Sequence, residues 1–240
     1  PKVKEAKHTE WLNSFADDEK LEQEKVIQSE VFPAEGELKM GEVVHKVSQV
    51  AGANAVLVTD VGQNQMMSSR YFQYTAPKSI ISSGGLGTMG FGLPAAIGAK
   101  IGAPERPVCF FVGDGGIQMT VEELGVILQY GVAVKIIILN NNFLGMVRQW
   151  QDLFYSKRYS QTPMVNPNFV ALAKAYGIQA EDVESREELD EAIKRMMEYD
   201  GAYVLNVKVE QEGYVFPMVP AGSTMVNTVI APGEKYQSTK

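Results

Sequence analysis

Residues 108–142 read VCFFVGDGGIQMTVEELGVILQYGVAVKIIILNNN, and this stretch decides the fold. Its two continuous apolar runs, 108–114 and 134–141, are typical of strands that are buried on both faces of a sheet. Between them, Thr120 followed by Glu123 has the spacing of a capping box, which predicts the start of a helix. The stretch therefore predicts a strand, a helix and a second strand in succession, as in a parallel sheet.

The rest of the chain continues this alternation of strands and helices. Short apolar or β-branched runs predict further strands at 55–60, 79–83 and 202–210. Helical spacing or capping residues predict further helices at 40–50, 90–102, 145–155, 168–176 and 185–200. Arg148, on one of these helices, is expected to be a surface or interface charge. The order of elements predicts an α/β fold with three layers, α/β/α, in which helices cover both faces of a mostly parallel sheet.

The composition is that of an ordinary globular chain, with 240 residues of which 45% are hydrophobic. No apolar run reaches the roughly 20 residues that a membrane span needs, so we expect no membrane partner. The net charge of −7 argues against a nucleic-acid partner, because phosphate backbones select basic surfaces. The one cysteine, Cys109, can form no disulfide within the chain, which favours a cytoplasmic location.

Two polar features mark the strand ends in the opening stretch. Asp114 stands between glycines where the first strand ends, and Asn141 stands where the second strand ends. Ligands of parallel α/β sheets bind at this edge, and glycines let the backbone approach a phosphate closely. An aspartate repels a diphosphate unless a divalent cation lies between them, and Mg²⁺ binds carboxylates together with substrate phosphates. Each feature alone is typical of an ordinary turn, but together they predict a metal–diphosphate site.

Three segments carry a family resemblance: GDGGIQMTVEEL, VKIIILNNNFLGMVRQWQDLFYSKRYSQT and GGLGTMGFGLPAAIGA. They resemble the C-terminal, thiamine diphosphate-binding domain of acetolactate (acetohydroxyacid) synthases, over roughly residues 40–220. The resemblance implies a transferase of branched-chain amino acid biosynthesis that uses thiamine diphosphate and Mg²⁺. It implies that the whole enzyme decarboxylates pyruvate and joins the two-carbon unit to pyruvate or 2-oxobutanoate.

The resemblance also implies roles for individual residues. The metal ligands are implied to be Asp114, Asn141 and the backbone carbonyl of Phe143. Contacts to the diphosphate are implied for Gly62, Gln63, Asn64, Gly115 and Gly116, with residues 62–64 forming a second binding loop. The family often has Ser at position 116 and His at position 64, so this chain departs from the family pattern at both.

Other residues are implied to shape the cofactor and the substrate pocket. Met89 is implied to hold the cofactor in a bent conformation, and the Gly87 carbonyl to accept a hydrogen bond from its aminopyrimidine. Met119 and Met146 are implied to add apolar walls. Trp150 matches a family position that favours 2-oxobutanoate as the second keto acid.

Several alternatives stay open at the level of the sequence. Residues 85–90, GLGTMG, fit the G-x-G-x-x-G pattern of a nicotinamide dinucleotide-binding domain, although the strand predicted before them is polar. Another thiamine diphosphate-dependent decarboxylase or oxidase is a second alternative. A non-catalytic interaction module that kept the fold is a third.

The resemblance also predicts a domain organisation. Residues 1–35 are expected to form a helical connector from a missing middle domain, 36–220 the diphosphate-binding domain, and 221–240 a loop-like C-terminal tail. The family's pyrimidine-binding domain and its FAD-binding middle domain do not fit into 240 residues. The chain is therefore expected to be one part of an enzyme and to be inactive alone. Its expected partners are those two domains and further copies in a homo-oligomer, and the family also allows a small regulatory subunit.

Overall fold

The computed structural model describes residues 6–231 and 233–235. The chain divides into two compact units, one formed by Ala34–Val215 and the other by the segments before and after it. Residues 1–5 of the predicted connector lie outside the described residues. So do residues 232 and 236–240 of the predicted tail. The organisation into connector, domain and tail stays a prediction.

The larger unit is built on a sheet of six strands. They are β1 (Val56–Thr59), β2 (Ile80–Ile81), β3 (Val108–Gly113), β4 (Lys135–Asn140), β5 (Gln179–Val183) and β6 (Tyr203–Lys208). All neighbours pair in parallel, in the order β2-β1-β3-β4-β6-β5. The sheet confirms the predicted α/β fold class, and each predicted strand overlaps an observed one.

The described residues of the smaller unit form short elements. Near the start of the chain they are α1 (Thr9–Asn13), α2 (Ala16–Glu22), a π-helical turn (Gln23–Ile27) and α3 (Gln28–Val31). Near the end they are a 3₁₀ turn (Met225–Asn227) and the antiparallel strands β7 (Val229–Ala231) and β8 (Glu234–Lys235). The sequence predicts a loop in this last region, and the structure has a strand pair instead.

The strands of the larger unit are connected by helices. They are α4 (Met40–Ala51), α5 (Gln63–Tyr71), α6 (Gly92–Gly102), α7 (Asp114–Ile117), α8 (Leu124–Tyr130), α9 (Gly145–Phe154), α10 (Phe169–Ala175) and α11 (Arg186–Glu198), with a 3₁₀ turn at Val121–Glu123. The side chain of Asn168 caps α10 by accepting the Ala171 N–H at 2.8 Å, and Ser185 with Glu188 forms the predicted capping box of α11. None of the helices within residues 6–231 and 233–235 has the length and apolar character that crossing a membrane requires.

Helices cover both faces of the sheet. On one face, α6, α8 and α10 pack on the buried side chains of Phe110, Val112, Ile136 and Ile138. On the other face, α5 and α11 contact the strands, and α4 contacts both of these helices. Successive side chains of a strand point to opposite faces, so strands covered on both sides are apolar throughout. At Gly92 an added Cβ would lie 2.2 Å from the Phe110 ring, so only glycine lets α6 approach β3 this closely.

Some local predictions are wrong, for physical reasons. The sequence does not predict strand β5, because only Ala180 and Val183 are buried in it and the other three residues, at the edge of the sheet, are polar. Helix α5 was not predicted, because its sequence QNQMMSSRY has no continuous apolar stripe. Thr120 opens no capping box, since its hydroxyl donates to the Gly90 carbonyl at 3.0 Å and a 3₁₀ turn follows.

Candidate cofactor and metal site

The two polar features of the opening stretch meet at the carboxyl edge of the sheet. Strands β3 and β4 pair in parallel with Gly113 opposite Leu139, so their ends lie side by side. Asp114 begins α7 directly after β3, and Asn141 follows the last residue of β4. Between these ends lies a cavity of about 240 Å³.

Nearly all the residues predicted to bind cofactor or metal line this one cavity. They are Gly62, Gln63, Asn64, Gly87, Met89, Asp114, Gly115, Gly116, Asn141, Phe143 and Met146. Apolar side chains complete the wall, among them Met40, Leu139 and Leu144. The fold therefore brings together residues that are far apart in the sequence, and each predicted segment contributes to the same space.

Met119 and Trp150 do not line the cavity. Met119 is 54% exposed and lies beside Gly90, where an added Cβ would be 2.8 Å from the Met119 Cβ. Trp150 is 37% exposed on α9 and packs against the Phe154 ring with centroids 4.9 Å apart. Trp150 lines a separate surface cleft, which shares Val147 with the cavity.

Asp114 is buried, with only 1% of its surface exposed. Burial raises the pKa of its carboxyl to about 6, although a hydrogen bond from Asn166 opposes the shift. The Asn166 Nδ2 donates to Asp114 Oδ2 at 2.6 Å, and the Gln118 side chain donates to the Asp114 backbone carbonyl at 2.9 Å. The carboxylate is thus desolvated and held in place, and a nearby cation would stabilise its charge.

Asn141 is equally buried, with 3% exposure. Its Oδ1 accepts the Phe143 N–H at 3.1 Å, and its Nδ2 donates to Gln63 Oε1 at 3.4 Å. Asn142 has a φ of 58°, which turns the chain sharply after the strand. Phe143 then bridges in antiparallel fashion to Pro163, so a second segment fixes the backbone of the predicted metal carbonyl.

The predicted loop at 62–64 is the start of helix α5. Gly62 has a φ of 104°, which suits glycine, and Gln63 and Asn64 are the first residues of the helix. The Asn64 Nδ2 donates to the Val61 carbonyl at 2.8 Å. Its Oδ1 is buried and has no hydrogen-bond partner anywhere in the described part of the chain. A buried acceptor left unpaired at a cavity wall is where a ligand or a bound water is expected.

Asp60 was missed in the sequence analysis, although it holds the loop that carries Gly87 and Met89. It is fully buried at the end of β1, and its carboxylate accepts the N–H groups of Gly90 and Gly92, both at 3.0 Å. A Cβ added at Gly116 would lie 2.7 Å from Asp60 Oδ1, so Asp60 occupies space beside the glycine turn. The signal in the sequence is the same as for Asp114, an acid directly after an apolar run.

Arg148 is buried within the chain, whereas the sequence predicts a surface or interface charge. Only 6% of it is exposed, and its guanidinium carbon lies 4.7 Å from the Phe143 ring centroid and 5.0 Å from that of Tyr159. Its Nη1 donates to the Gln211 carbonyl at 2.7 Å. Stacking between two rings removes the guanidinium from water, and an arginine tolerates this better than a lysine.

The residues at the cavity fit a divalent cation that carries a diphosphate. One carboxylate, one side-chain amide oxygen and a backbone carbonyl are the oxygen ligands that Mg²⁺ accepts. Within residues 6–231 and 233–235, no group of three or more His, Cys, Asp or Glu side chains could hold a metal ion. Mg²⁺ takes about six oxygens, so a cation at Asp114 would need further oxygens from a bound ligand or from water. A Cβ at Gly145 would lie 2.0 Å from Gln63 Oε1, so only glycine lets the Gln63 side chain pack this closely at the cavity wall.

A cavity at the carboxyl edge of a parallel α/β sheet is the usual ligand site of this fold class, and its oxygen ligands fit a diphosphate bound through a cation. The chain belongs to the thiamine pyrophosphate enzyme family, because residues 60–207 match the family's C-terminal TPP-binding domain. This match confirms the resemblance seen in the sequence. It also favours that interpretation over a nicotinamide dinucleotide-binding domain.

Curated relatives are similar to most of this chain. The acetolactate synthase large subunit of Lactococcus lactis is 44% identical over 191 residues, which are 79% of this chain and 33% of the relative. The isozyme 2 large subunit of Escherichia coli acetolactate synthase is 42% identical over 183 residues, 76% of this chain and 33% of the relative. The mitochondrial acetolactate synthase of Schizosaccharomyces pombe is 45% identical over 196 residues, which are 80% of this chain and 29% of the relative. The chain spans about a third of the length of these relatives.

Proposed function

We propose that the chain is the thiamine diphosphate- and Mg²⁺-binding domain of an acetolactate synthase, with residues 36–220 as the binding domain. The observation that carries the proposal is the cavity at the ends of β3 and β4. There the buried Asp114 and Asn141 lie together with Asn64, whose Oδ1 has no partner among the described residues. The unpaired Asn64 Oδ1 and the desolvated Asp114 carboxylate would both be stabilised by a bound cation and its ligand.

Different residues of the cavity would bind the metal ion, the diphosphate and the rest of the cofactor. Asp114, Asn141 and the Phe143 carbonyl would hold the Mg²⁺ ion, and the turn at Gly115 and Gly116 would hold the diphosphate. The helix start at Gly62, Gln63 and Asn64 would add further diphosphate contacts. Gly87 and Met89 would fix the conformation of the cofactor, and Met146 would supply an apolar wall. We keep Met119 in the same role at the rim, where the loop held by Asp60 and Thr120 passes it.

The proposed reaction belongs to the whole enzyme. When bound, thiamine diphosphate supplies the electron sink that lets a 2-keto acid lose carbon dioxide. The enzyme would join the two-carbon unit from pyruvate to pyruvate or 2-oxobutanoate, as in branched-chain amino acid biosynthesis. Trp150, in the cleft that adjoins the cavity at Val147, would contact the second keto acid.

The proposal also includes partners. A pyrimidine-binding domain, an FAD-binding middle domain and a second copy of the chain would complete the site, and a small regulatory subunit would be compatible with it. The 240-residue chain alone would then be inactive. Acetolactate formation by the purified chain would contradict this part. A cytoplasmic location, expected from the single cysteine, belongs to the proposal as well.

Calorimetric titration of thiamine diphosphate into the chain tests the proposal. We expect binding in the presence of Mg²⁺ and none after chelation with EDTA. The Asn141→Ala variant should bind at least about tenfold more weakly, because the ion loses an oxygen ligand. Binding that needs no metal, or is unchanged in the variant, would contradict the proposed site. Tryptophan fluorescence quenched by NADH but not by thiamine diphosphate would favour the dinucleotide alternative.

A further inference from the structure

Asn166 does not line the cavity, but it contacts the Asp114 carboxylate that is predicted to bind the metal ion. It lies in the segment between the bridge at Pro163 and the cap of α10. Its Nδ2 donates to Asp114 Oδ2 at 2.6 Å and to Asn140 Oδ1 at 3.1 Å. Its Oδ1 accepts from the Gln118 Nε2 at 3.1 Å. Both ends of the Asn166 amide are therefore engaged by neighbouring elements.

A chain of amides that begins at the sheet edge sets the orientation of Asn166. The Asp182 carboxylate on β5 accepts the Asn206 Nδ2 at 2.7 Å, which turns the Asn206 Oδ1 towards Asn140. The Asn140 Nδ2 donates to that oxygen at 3.2 Å, which leaves the Asn140 Oδ1 for Asn166. Because an ionised carboxylate only accepts hydrogen bonds, each amide in the chain has one favourable orientation. Asn166 thus presents its NH₂ group, and not its oxygen, to Asp114.

We propose that Asn166 is a positioning residue, which holds the Asp114 carboxylate in the orientation that binds the cation. The inference rests on the proposed function of the cavity. A carboxylate has about four lone-pair sites, so it can accept from Asn166 and still bind a metal ion. The hydrogen bond at 2.6 Å restricts rotation of the carboxyl group before the ion arrives. Less ordering is then needed when the ion binds.

The effect of this hydrogen bond should depend on which ion is used. Mg²⁺ demands a near-ideal octahedral arrangement of oxygens, whereas Ca²⁺ accepts irregular arrangements with longer distances. Loss of a residue that orients a metal ligand typically weakens binding by about 10–100-fold. A loosely held carboxylate should therefore penalise Mg²⁺ more than Ca²⁺. A purely structural role for Asn166 has no reason to distinguish the two ions.

The test is a titration of Mg²⁺, and separately of Ca²⁺, into the 240-residue chain with thiamine diphosphate present in excess. The Asn166→Leu variant keeps the size of the side chain and removes its NH₂ group. We expect it to bind Mg²⁺ about 10–100-fold more weakly and Ca²⁺ with a much smaller loss. The matched control is Asn168→Ala, which removes the α10 cap in the same segment and leaves the Asp114 contact. It should bind both ions as the unchanged chain does.

Each other outcome overturns the inference. Unchanged Mg²⁺ affinity in Asn166→Leu, equal losses for the two ions, or the same loss in Asn168→Ala would show that Asn166 does not orient Asp114. If Asn166→Leu fails to fold, Gln118→Leu takes its place, because it removes the donor to Asn166 Oδ1 together with the donor to the Asp114 backbone carbonyl. That variant should show a smaller loss, of about several-fold, again greater for Mg²⁺. If the unchanged chain binds neither ion, the proposed function fails, and the inference fails with it.

Discussion

Strands β3 and β4 bury polar side chains at both ends, and the two ends differ in what those side chains contact. At the amino end, Lys135 is 7% exposed, and its Nζ donates to the carbonyls of Tyr199 at 2.6 Å and Gly201 at 2.8 Å. At the carboxyl end, Asp114 and Asn141 are buried beside a cavity. At both ends, burial of these polar groups costs desolvation free energy.

The amino end satisfies its polar groups within the chain. Arg106 illustrates this, because its guanidinium donates to the Asn54 carbonyl at 2.7 Å and to the Ser79 hydroxyl at 2.6 Å. The carboxyl end does not, since no described residue pairs with Asn64 Oδ1 and burial raises the pKa of Asp114 to about 6. Buried polarity alone is therefore a poor sign of function. Polar groups that converge on a cavity and stay incompletely satisfied are a better one.

The largest expected difference between the two ends is in their access to reagents. Cys109 lies opposite Lys135 in the sheet and is fully buried, and burial raises the pKa of its thiol to about 12. At pH 8 we expect its reaction with DTNB to be at least about 1000-fold slower in the folded chain than in urea, because the thiolate is the nucleophile. The matched control is Met146→Cys in a Cys109→Ala chain, which moves the thiol to the cavity wall. Fast reaction of Cys109 in the folded chain would contradict a closed amino end.

At the carboxyl end, Asp114→Asn should separate binding from stability. We expect thiamine diphosphate with Mg²⁺ to bind at least about 100-fold more weakly, because the site loses its carboxylate. The free energy of unfolding without ligand should stay the same or rise, because a desolvated charge is replaced by an amide of the same shape. Calorimetry and urea denaturation measure the two effects. A variant that binds normally, or that loses stability by more than about 1 kcal/mol, would contradict this account of the carboxyl end.

At the amino end, Lys135→Met should lower the stability of the chain and leave its affinity for the cofactor unchanged. The carbonyls of Tyr199 and Gly201 lose a charged donor, so the free energy of unfolding should fall by about 2 kcal/mol. Urea denaturation measures this loss. The affinity for thiamine diphosphate with Mg²⁺ should not change, because Lys135 lies at the far end of the strand. A variant that loses affinity without losing stability would remove the distinction between the two ends.

The sequence predicted the centre of the sheet better than its edges. Strands β3 and β4 are apolar between their ends because helices cover both faces, and this pattern needs no knowledge of the fold. The edge strand β5 has only two buried residues, Ala180 and Val183, with two acidic residues between them, so the sequence of Gln179–Val183 resembles a loop. Helix α5 escaped prediction for a related reason, since its polar first turn faces the cavity and breaks the apolar periodicity.

The sequence likewise reveals some residues of the candidate site and not others. The sequence reveals Asp114 and Asn141 because each lies at the end of an apolar run, and Asp60 lies at the end of one too. Asn166 and Arg148 carry no such signal. Asn166 reaches Asp114 through the bridge that folds residues 162–164 back onto the chain after β4, and Arg148 is buried between the rings of Phe143 and Tyr159. Contacts of this kind depend on tertiary structure, and one sequence cannot reveal them.

The smallest expected effect compares two glycines replaced by alanine. A Cβ at Gly145 would lie 2.0 Å from Gln63 Oε1 and 2.9 Å from Asn141 Nδ2, so both side chains must shift at the carboxyl end. We expect Gly145→Ala to weaken thiamine diphosphate binding about tenfold, since the moved amide belongs to the proposed metal site. Its stability should change little, because the better helix propensity of alanine offsets the strain at the start of α9.

Gly98→Ala is the matched control for that substitution. Gly98 lies exposed on α6 with nothing within 4 Å of an added Cβ, so alanine should raise the free energy of unfolding by about 0.5–1 kcal/mol and leave binding unchanged. Urea denaturation and calorimetry on both variants give the comparison. If Gly145→Ala also stabilises the chain and binds normally, then Gln63 and Asn141 move without cost. The carboxyl end would then be a loosely packed surface and not a site whose side chains are held in place for a ligand.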